Sequence, residues 1–222
     1  MIVVIGSPIG RLDDDVLTAA GTASRVALAA AKLGRSVQLV GKTGDDATAD
    51  GVVLDLARGG VGHVALLRDP GRATTLETAT PDMPDAIDEA SDEAPDPVKS
   101  SPAPQPAGPA LEAADVELGL RYLTDFGVVV LAEPADPETI RVAADATRWG
   151  EARMILVVGV GQTIPDGLPG DVNVFESPAT DPDGVFADLV GAFAAALDAG
   201  TEPGAAFRSS IASDGWTEAG ST

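Results

Sequence analysis

The chain has 222 residues, 45% of them hydrophobic, and carries 35 acidic against 14 basic side chains, a formal net charge of −21. Such a charge repels phosphate backbones and anionic lipid surfaces, so the composition argues against nucleic-acid and membrane partners. There is no cysteine and one histidine, His63, which excludes disulfides and thiolate chemistry and disfavours a zinc site or a Ser-His-Asp triad.

The first residues, MIVVIGSPIG, predict a buried strand over 2–5 that ends at Gly6. No basic region precedes this apolar run, and it is too short for a signal peptide or a membrane span. We therefore expect a cytoplasmic protein.

The next segment alternates helical and strand patterns as far as residue 78. Helices are predicted over 19–33 and 46–58, and strands over 36–40, 61–67 and 73–78. Strands that alternate with helices predict a parallel sheet covered by helices.

Residues 79–109 are rich in Pro, Asp, Glu, Ala and Ser and nearly lack large apolar side chains, which predicts a disordered insert. Periodic patterns resume after it. They predict helices over 110–125, from 137, over 183–199 and over 203–213, and strands over 127–131, 154–160 and 171–177. We expect 1–78 and 110–215 to be two parts of one α/β domain, with 216–222 as a flexible tail.

Two phosphate-binding patterns are incomplete. GKTG at 41–44 lacks the first glycine of a P-loop, since that position is Ser36, and GVGQTI at 159–164 has Ile164 where a dinucleotide fingerprint needs its third glycine. A less specific candidate remains in VGKTGDD, which places Gly41, Gly44 and Asp46 after a predicted strand, where open α/β sheets bind ligands. The alternative is that Asp45 or Asp46 only caps the following helix.

Residues 19–61, AAGTASRVALAAAKLGRSVQLVGKTGDDATADGVVLDLARGGV, resemble the first signature of the ribokinase, or PfkB, family of carbohydrate kinases. Ala20, Gly21 and Arg25 stand at its Gly, Gly and Asn positions, and Gly41, Gly44 and Asp46 match its second glycine cluster. The resemblance implies a ribokinase-like three-layer α/β/α fold with a mainly parallel sheet. It also implies a substrate site at these residues and phosphoryl transfer from ATP with Mg²⁺ to a sugar or nucleoside hydroxyl.

The family's second signature is degraded in TDPDGVFADLVG. Asp181 falls on its first Asp, but Phe186 and Ala187 stand where the resemblance requires Gly and the catalytic Asp. Asp188 and Asp183 are the nearest substitutes for the base, and Glu176 is the one weak candidate for a metal-linked residue. Only RLDDDVLT and PATDPDG stand where the family has its lid and part of its nucleotide site, so we expect the lid and part of the nucleotide-binding region to be missing.

Three hypotheses follow. The first is a catalytically impaired relative, with no certain cofactor, that binds a sugar, a nucleoside, a phosphorylated metabolite or a partner protein. Arg25 would favour an anionic ligand there, unless it is simply a solvated helix residue. The second is an active kinase that uses Asp188 or Asp183 with ATP and Mg²⁺. The third is a non-catalytic homodimer in which a second copy covers the sheet face that a lid would cover.

Overall fold

The computed structural model describes residues 1–78, 108–181 and 183–213. The predicted insert 79–109 lies outside the described residues except for 108 and 109, and the predicted tail 216–222 lies outside them entirely. In the described part of the chain, no helix is both long and apolar enough to cross a membrane.

Nine strands and six helices form in the described ranges. The strands are β1 Ile2–Ile5, β2 Ile9–Asp13, β3 Val16–Ala20, β4 Val37–Gly44, β5 Val61–Asp69, β6 Leu76–Thr78, β7 Val128–Leu131, β8 Arg153–Val158 and β9 Asn173–Glu176. The helices are α1 Gly21–Lys32, α2 Ala47–Arg58, α3 Ala113–Arg121, α4 Pro137–Trp149, α5 Val185–Asp198 and α6 Pro203–Ser213.

Six strands form one parallel sheet in the order β5-β4-β1-β7-β8-β9. Side chains of β1 alternate between its two faces because successive residues of a strand point in opposite directions. Ile2 and Val4 join a core with α1, α2, α5 and α6, while Val3 and Ile5 join a core with α3 and α4. The predicted three-layer α/β/α architecture with a mainly parallel sheet is therefore confirmed.

Helix α4 begins where its sequence predicts. The Asp136 carboxylate accepts hydrogen bonds from the amides of Glu138 (2.9 Å) and Thr139 (3.1 Å), and Pro137 occupies the first helical position. These residues satisfy amides that have no partner inside the helix, which makes this start independent of the rest of the fold.

Helices α1 and α5 pack closely because small residues line their contact. A Cβ atom built on Gly191 would lie 2.6 Å from the Cβ of Ala29 and 2.7 Å from the carbonyl oxygen of Val26. Even one methyl group at position 191 would therefore force the two helices apart.

The stretch between β1 and α1 forms two strands that the sequence patterns do not predict. The sequence left only RLDDDVLT in place of a lid, but β2 and β3 form an antiparallel hairpin here, and β6 pairs in parallel with β2. Asp14 and Asp15 turn the hairpin with φ angles of 46° and 65°. Two-residue turns with positive φ usually contain Asn-Gly, so Asp-Asp gave no hairpin signal. This stretch, together with β6, thus forms a small three-stranded sheet beside the main one.

Strand β4 extends further than the sequence predicts. The prediction ended this strand at residue 40, but it continues to Gly44 alongside β5. Gly41 and Gly44 therefore lie within the strand and not in a loop after it. Asp46 comes two residues later and precedes α2.

Candidate functional site

A crevice opens at the carboxyl end of the sheet between β1 and β7. From β1 the chain runs outward to β4 and β5 on one side, while β7, β8 and β9 extend on the other, so the strand order reverses here. Loops that leave two such strands diverge to opposite faces and leave room for a ligand. A pocket of about 240 Å³ occupies this position, lined mainly by Gly6, Ser7 and residues 133–136. Its volume lies below the roughly 300–1,000 Å³ usual for larger ligands, which suits a small metabolite.

Glu133 is a candidate binding residue that the sequence patterns do not indicate. It follows the buried strand β7, and its Oε1 accepts a hydrogen bond of 2.7 Å from the Ser7 amide. Burial raises the pKa of Glu133, although hydrogen bonds from the amide and hydroxyl of Ser7 oppose the rise. The carboxyl oxygens of Glu133 can accept hydrogen bonds from hydroxyl groups of a ligand.

The glycines around Ser7 allow this close arrangement. A Cβ on Gly6 would lie 2.7 Å from Ala23 Cβ and 3.2 Å from the carboxyl carbon of Glu133, so any larger residue would displace the carboxyl group. A Cβ on Gly41 would strike the carbonyl oxygen of Gly6. Gly21 begins α1 with a φ angle of 83°, and a Cβ atom built on it would lie 3.5 Å from the Ser7 carbonyl oxygen. Gly21 and Gly41, both predicted site residues, therefore meet at the Gly6–Ser7 turn.

Gly44 and Asp46 make other contacts. The Gly44 amide donates to Thr74 Oγ1 (2.9 Å), and a Cβ on Gly44 would lie 2.5 Å from the Arg72 carbonyl oxygen, so the 72–74 segment covers this part of β4. Asp46 accepts from the amides of Ala49 (2.8 Å) and Thr74 (2.7 Å) and from the Thr74 hydroxyl (2.9 Å). Burial disfavours the charged form of Asp46, but these hydrogen bonds outweigh it and lower its pKa. In this arrangement Asp46 caps α2 and holds the 72–74 segment.

Arg25 lies at a different place from the pocket. Its guanidinium and Cδ pack over Gly184, which precedes α5 with φ of 76°. Arg25 thus lies beside the helix start that the resemblance associates with phosphoryl transfer, and not beside Glu133.

The amides at the start of α5 are already bonded within the chain. Asp181 accepts hydrogen bonds from the amides of Phe186 and Ala187, each at 3.1 Å. Helix N-termini bind anions through such amides, and at α5 the Asp181 carboxylate already accepts from two of them. The Ala187 side chain, at the position that the resemblance assigns to a catalytic Asp, is fully buried in the core.

The other acidic candidates from the sequence are exposed. Asp183 and Asp188 are exposed at the beginning of α5, and Glu176 is exposed at the end of the edge strand β9. Across the ranges that the structure describes, no group of three or more His, Asp or Glu residues is placed to hold a metal ion.

No family model matches the chain, and no curated protein matches it. Several solved structures, however, are similar to it over most of its length. Ribokinase of Arabidopsis thaliana, complexed with ribose and ATP, has 15% identity and a TM-score of 0.63 over 96% of this chain and 90% of its own.

Two further structures are similar over nearly the same length. Fructokinase from Vibrio cholerae O395, in apo form, has 13% identity and a TM-score of 0.60 over 96% of this chain and 95% of its own. A PfkB protein from Polaromonas sp. JS666 has 15% identity and a TM-score of 0.59, with 94% and 92% covered. The structure is therefore similar to those of the ribokinase/PfkB-family carbohydrate kinases, and the chain has the ribokinase-like α/β fold.

Proposed function

We propose that this protein binds a small, uncharged, hydroxyl-bearing metabolite, of the sugar or nucleoside class, in the pocket between β1 and β7. The observation that carries the proposal is the Glu133 carboxyl group held by the Ser7 amide at the point where the strand order reverses. The fold is consistent with it, since one similar structure is a ribokinase complexed with ribose and ATP.

The charge of the pocket supports an uncharged ligand over a phosphorylated one. Among the described residues that line it, the ionisable ones are Glu133 and Asp136, and the Asp136 carboxylate already caps α4. A phosphate group would meet acidic side chains without a neighbouring base. Arg25, which would favour an anion, contacts Gly184 instead.

We further propose that phosphoryl transfer is impaired. Ala187 offers a buried methyl group where a base is needed, and Asp181 competes with a phosphoryl group for the amides of α5. Loss of a general base and of anion stabilisation removes the two main contributions to catalysis of this step.

Ligand binding is tested by calorimetry and thermal shift with uncharged sugars and nucleosides and with their phosphorylated forms. We expect an uncharged compound to bind and Glu133→Gln to weaken its binding at least about tenfold, because Gln keeps one acceptor oxygen, which the Ser7 amide engages, and presents N–H donors in place of the second acceptor oxygen. Glu138→Gln is the matched control, since Glu138 is exposed on the first turn of α4 and its replacement makes the same change in charge. Equal affinities of the two variants, or preferential binding of phosphorylated compounds, would contradict the proposal.

Catalysis is tested separately by measuring ATP consumption with Mg²⁺ in the presence of each compound that binds. We expect no turnover above background. Turnover that is abolished by Asp188→Asn or Asp183→Asn would instead establish the active-kinase alternative with a rearranged site.

A further inference from the structure

The turn that follows β8 packs against one wall of the pocket between β1 and β7, the segment 133–136. This turn comprises residues 159–162, the beginning of the GVGQTI stretch whose glycines do not complete a dinucleotide fingerprint. The Gln162 amide donates to the Gly159 carbonyl oxygen (3.0 Å), and Gly161 has a φ angle of 70°, which glycine adopts without strain. None of the four residues belongs to the described lining of the pocket, so the turn can influence a ligand only through the wall.

The Gln162 side chain joins this turn to the wall. Its Oε1 accepts a hydrogen bond of 2.9 Å from the Gly159 amide, and its Nε2 donates one of 2.7 Å to the Ala135 carbonyl oxygen. Pro134 lies against the same turn, since a Cβ atom built on Gly159 would be 3.5 Å from Pro134 Cγ. Pro134 and Ala135 both line the pocket. Gln162 therefore ties the wall to the end of β8.

The wall transmits this restraint to Glu133. Proline fixes its own φ angle and restricts the residue before it, so Glu133, Pro134 and Ala135 form a short, stiff segment. A shift of the Ala135 carbonyl group therefore moves the backbone of Glu133, whose carboxyl group accepts from the Ser7 amide at 2.7 Å. A displacement of about 1 Å would lengthen this contact beyond the range of a hydrogen bond.

We propose that Gln162 is a positioning residue of the pocket, which holds the wall so that the Glu133 carboxyl group meets the Ser7 amide in the orientation that binds a ligand. The inference rests on the proposed function for the ligand but not for the contact itself. A primary amide is suited to this position because it carries an acceptor oxygen and two N–H donors in one plane. Here the oxygen meets a backbone amide and the nitrogen meets a backbone carbonyl group.

The test compares Gln162→Glu with a matched control. The new carboxylate can still accept from the Gly159 amide, but it cannot donate to the Ala135 carbonyl oxygen and is repelled by it. Asn173→Asp is the control, because Asn173 also donates from its side-chain amide to a carbonyl oxygen, that of Asp171 (3.2 Å), but lies on β9 outside the pocket lining. Both replacements exchange an amide for a carboxylate and remove one donated hydrogen bond.

Hydrogen exchange, followed by NMR on the ligand-free protein, tests the contact directly. We expect Gln162→Glu to speed exchange of the Ser7 amide at least about tenfold, because that amide depends on the Glu133 carboxyl group. The neighbouring Gly6 amide donates to the backbone of β4 (3.0 Å) and should exchange as in the parent. Asn173→Asp should alter neither amide. Unchanged exchange at Ser7 would overturn the proposal, as would equal acceleration at Gly6, which would report a general loss of stability.

Ligand affinity provides a second readout, measured by calorimetry with ribose and the other uncharged sugars and nucleosides. We expect Gln162→Glu to raise the Kd at least about tenfold, and Gln162→Met, which removes both hydrogen bonds without adding a charge, to do the same. Asn173→Asp should leave the Kd unchanged, and circular dichroism should show that the variants are folded. A compound that binds the parent and Gln162→Met equally well would overturn the inference. A parent that binds none of the compounds would contradict the proposed function, and exchange of the Ser7 amide would still decide the role of Gln162.

Discussion

Replacement of Asp46 by Asn tests whether this residue holds the 72–74 segment. The two carboxylate oxygens accept from the Ala49 amide, the Thr74 amide and the Thr74 hydroxyl. Asparagine has one acceptor oxygen, so in either orientation of its amide group one of the two backbone N–H groups loses its partner. Thr74 is 6% exposed, which limits access of water to its amide. An unsatisfied buried donor costs about 1–3 kcal/mol, and we expect Asp46→Asn to lower the free energy of unfolding by that amount.

The assay is urea denaturation followed by circular dichroism, with Asp45→Asn as the control. Asp45 is the neighbouring residue, is exposed, and loses the same charge on replacement. We expect the control to stay within about 0.5 kcal/mol of the parent, as surface substitutions usually do. Equal unfolding midpoints for the two variants would refute the reasoning.

The same residue makes a prediction about pH. Although burial opposes ionisation, the hydrogen bonds from Ala49 and Thr74 lower the pKa of Asp46 in the folded protein. Its contribution to stability is therefore complete above the unfolded value of about 4 and is lost as the pH falls through the lower folded value. We expect the stability difference between the parent and Asp46→Asn to shrink below about pH 4. A difference that stays constant to pH 2.5 would contradict this linkage.

Two other pairs of variants test packing and capping by the same denaturation assay. Gly191→Ala should destabilise the protein by about 1–3 kcal/mol because its new methyl group would meet Ala29. A Cβ atom on Gly204 would lie 3.7 Å from its nearest neighbour, so Gly204→Ala should be neutral or stabilise α6 by up to about 1 kcal/mol. Equal effects would show that α1 and α5 have room to move apart. Asp181→Ala should lower the free energy of unfolding by about 0.5–2 kcal/mol because the two amides at the start of α5 lose their acceptor. Asp183 is exposed, so Asp183→Ala should stay within about 0.5 kcal/mol of the parent. If Asp183→Ala proves the more costly, the cap of α5 has been assigned to the wrong residue.

Much of the fold follows from local patterns. The run of residues 2–5 forms a strand with the predicted bounds, and the Asp-Pro pair at 136–137 starts a helix as its capping chemistry requires. The prediction of strands and turns was poorer where the residue types are unusual for the structure that they adopt. The β2–β3 hairpin turns at two aspartates in place of a favoured Asn-Gly, and β4 continues through two glycines that are unfavourable within strands.

The candidate site was less predictable than the fold. The resemblance directed attention to the glycines and to Asp46, but the structure shows Asp46 bonded to Thr74, 28 residues away. The sequence patterns did not indicate Glu133, although a charged residue two positions after a buried strand is an available signal. Its significance depends on Ser7, which lies 126 residues earlier.

The sequence by itself determined the class of fold and the positions of most helices and strands. These depend on residue identity and on spacing along the chain, which determine local conformation and which face of an element is buried. Only the tertiary structure decided that β1 lies beside β7, that Glu133 therefore reaches Ser7, and that Asp181 folds back onto the amides of α5. The reason is physical: the order of strands in a sheet arises from how all the apolar faces pack together, and no short segment contains that information.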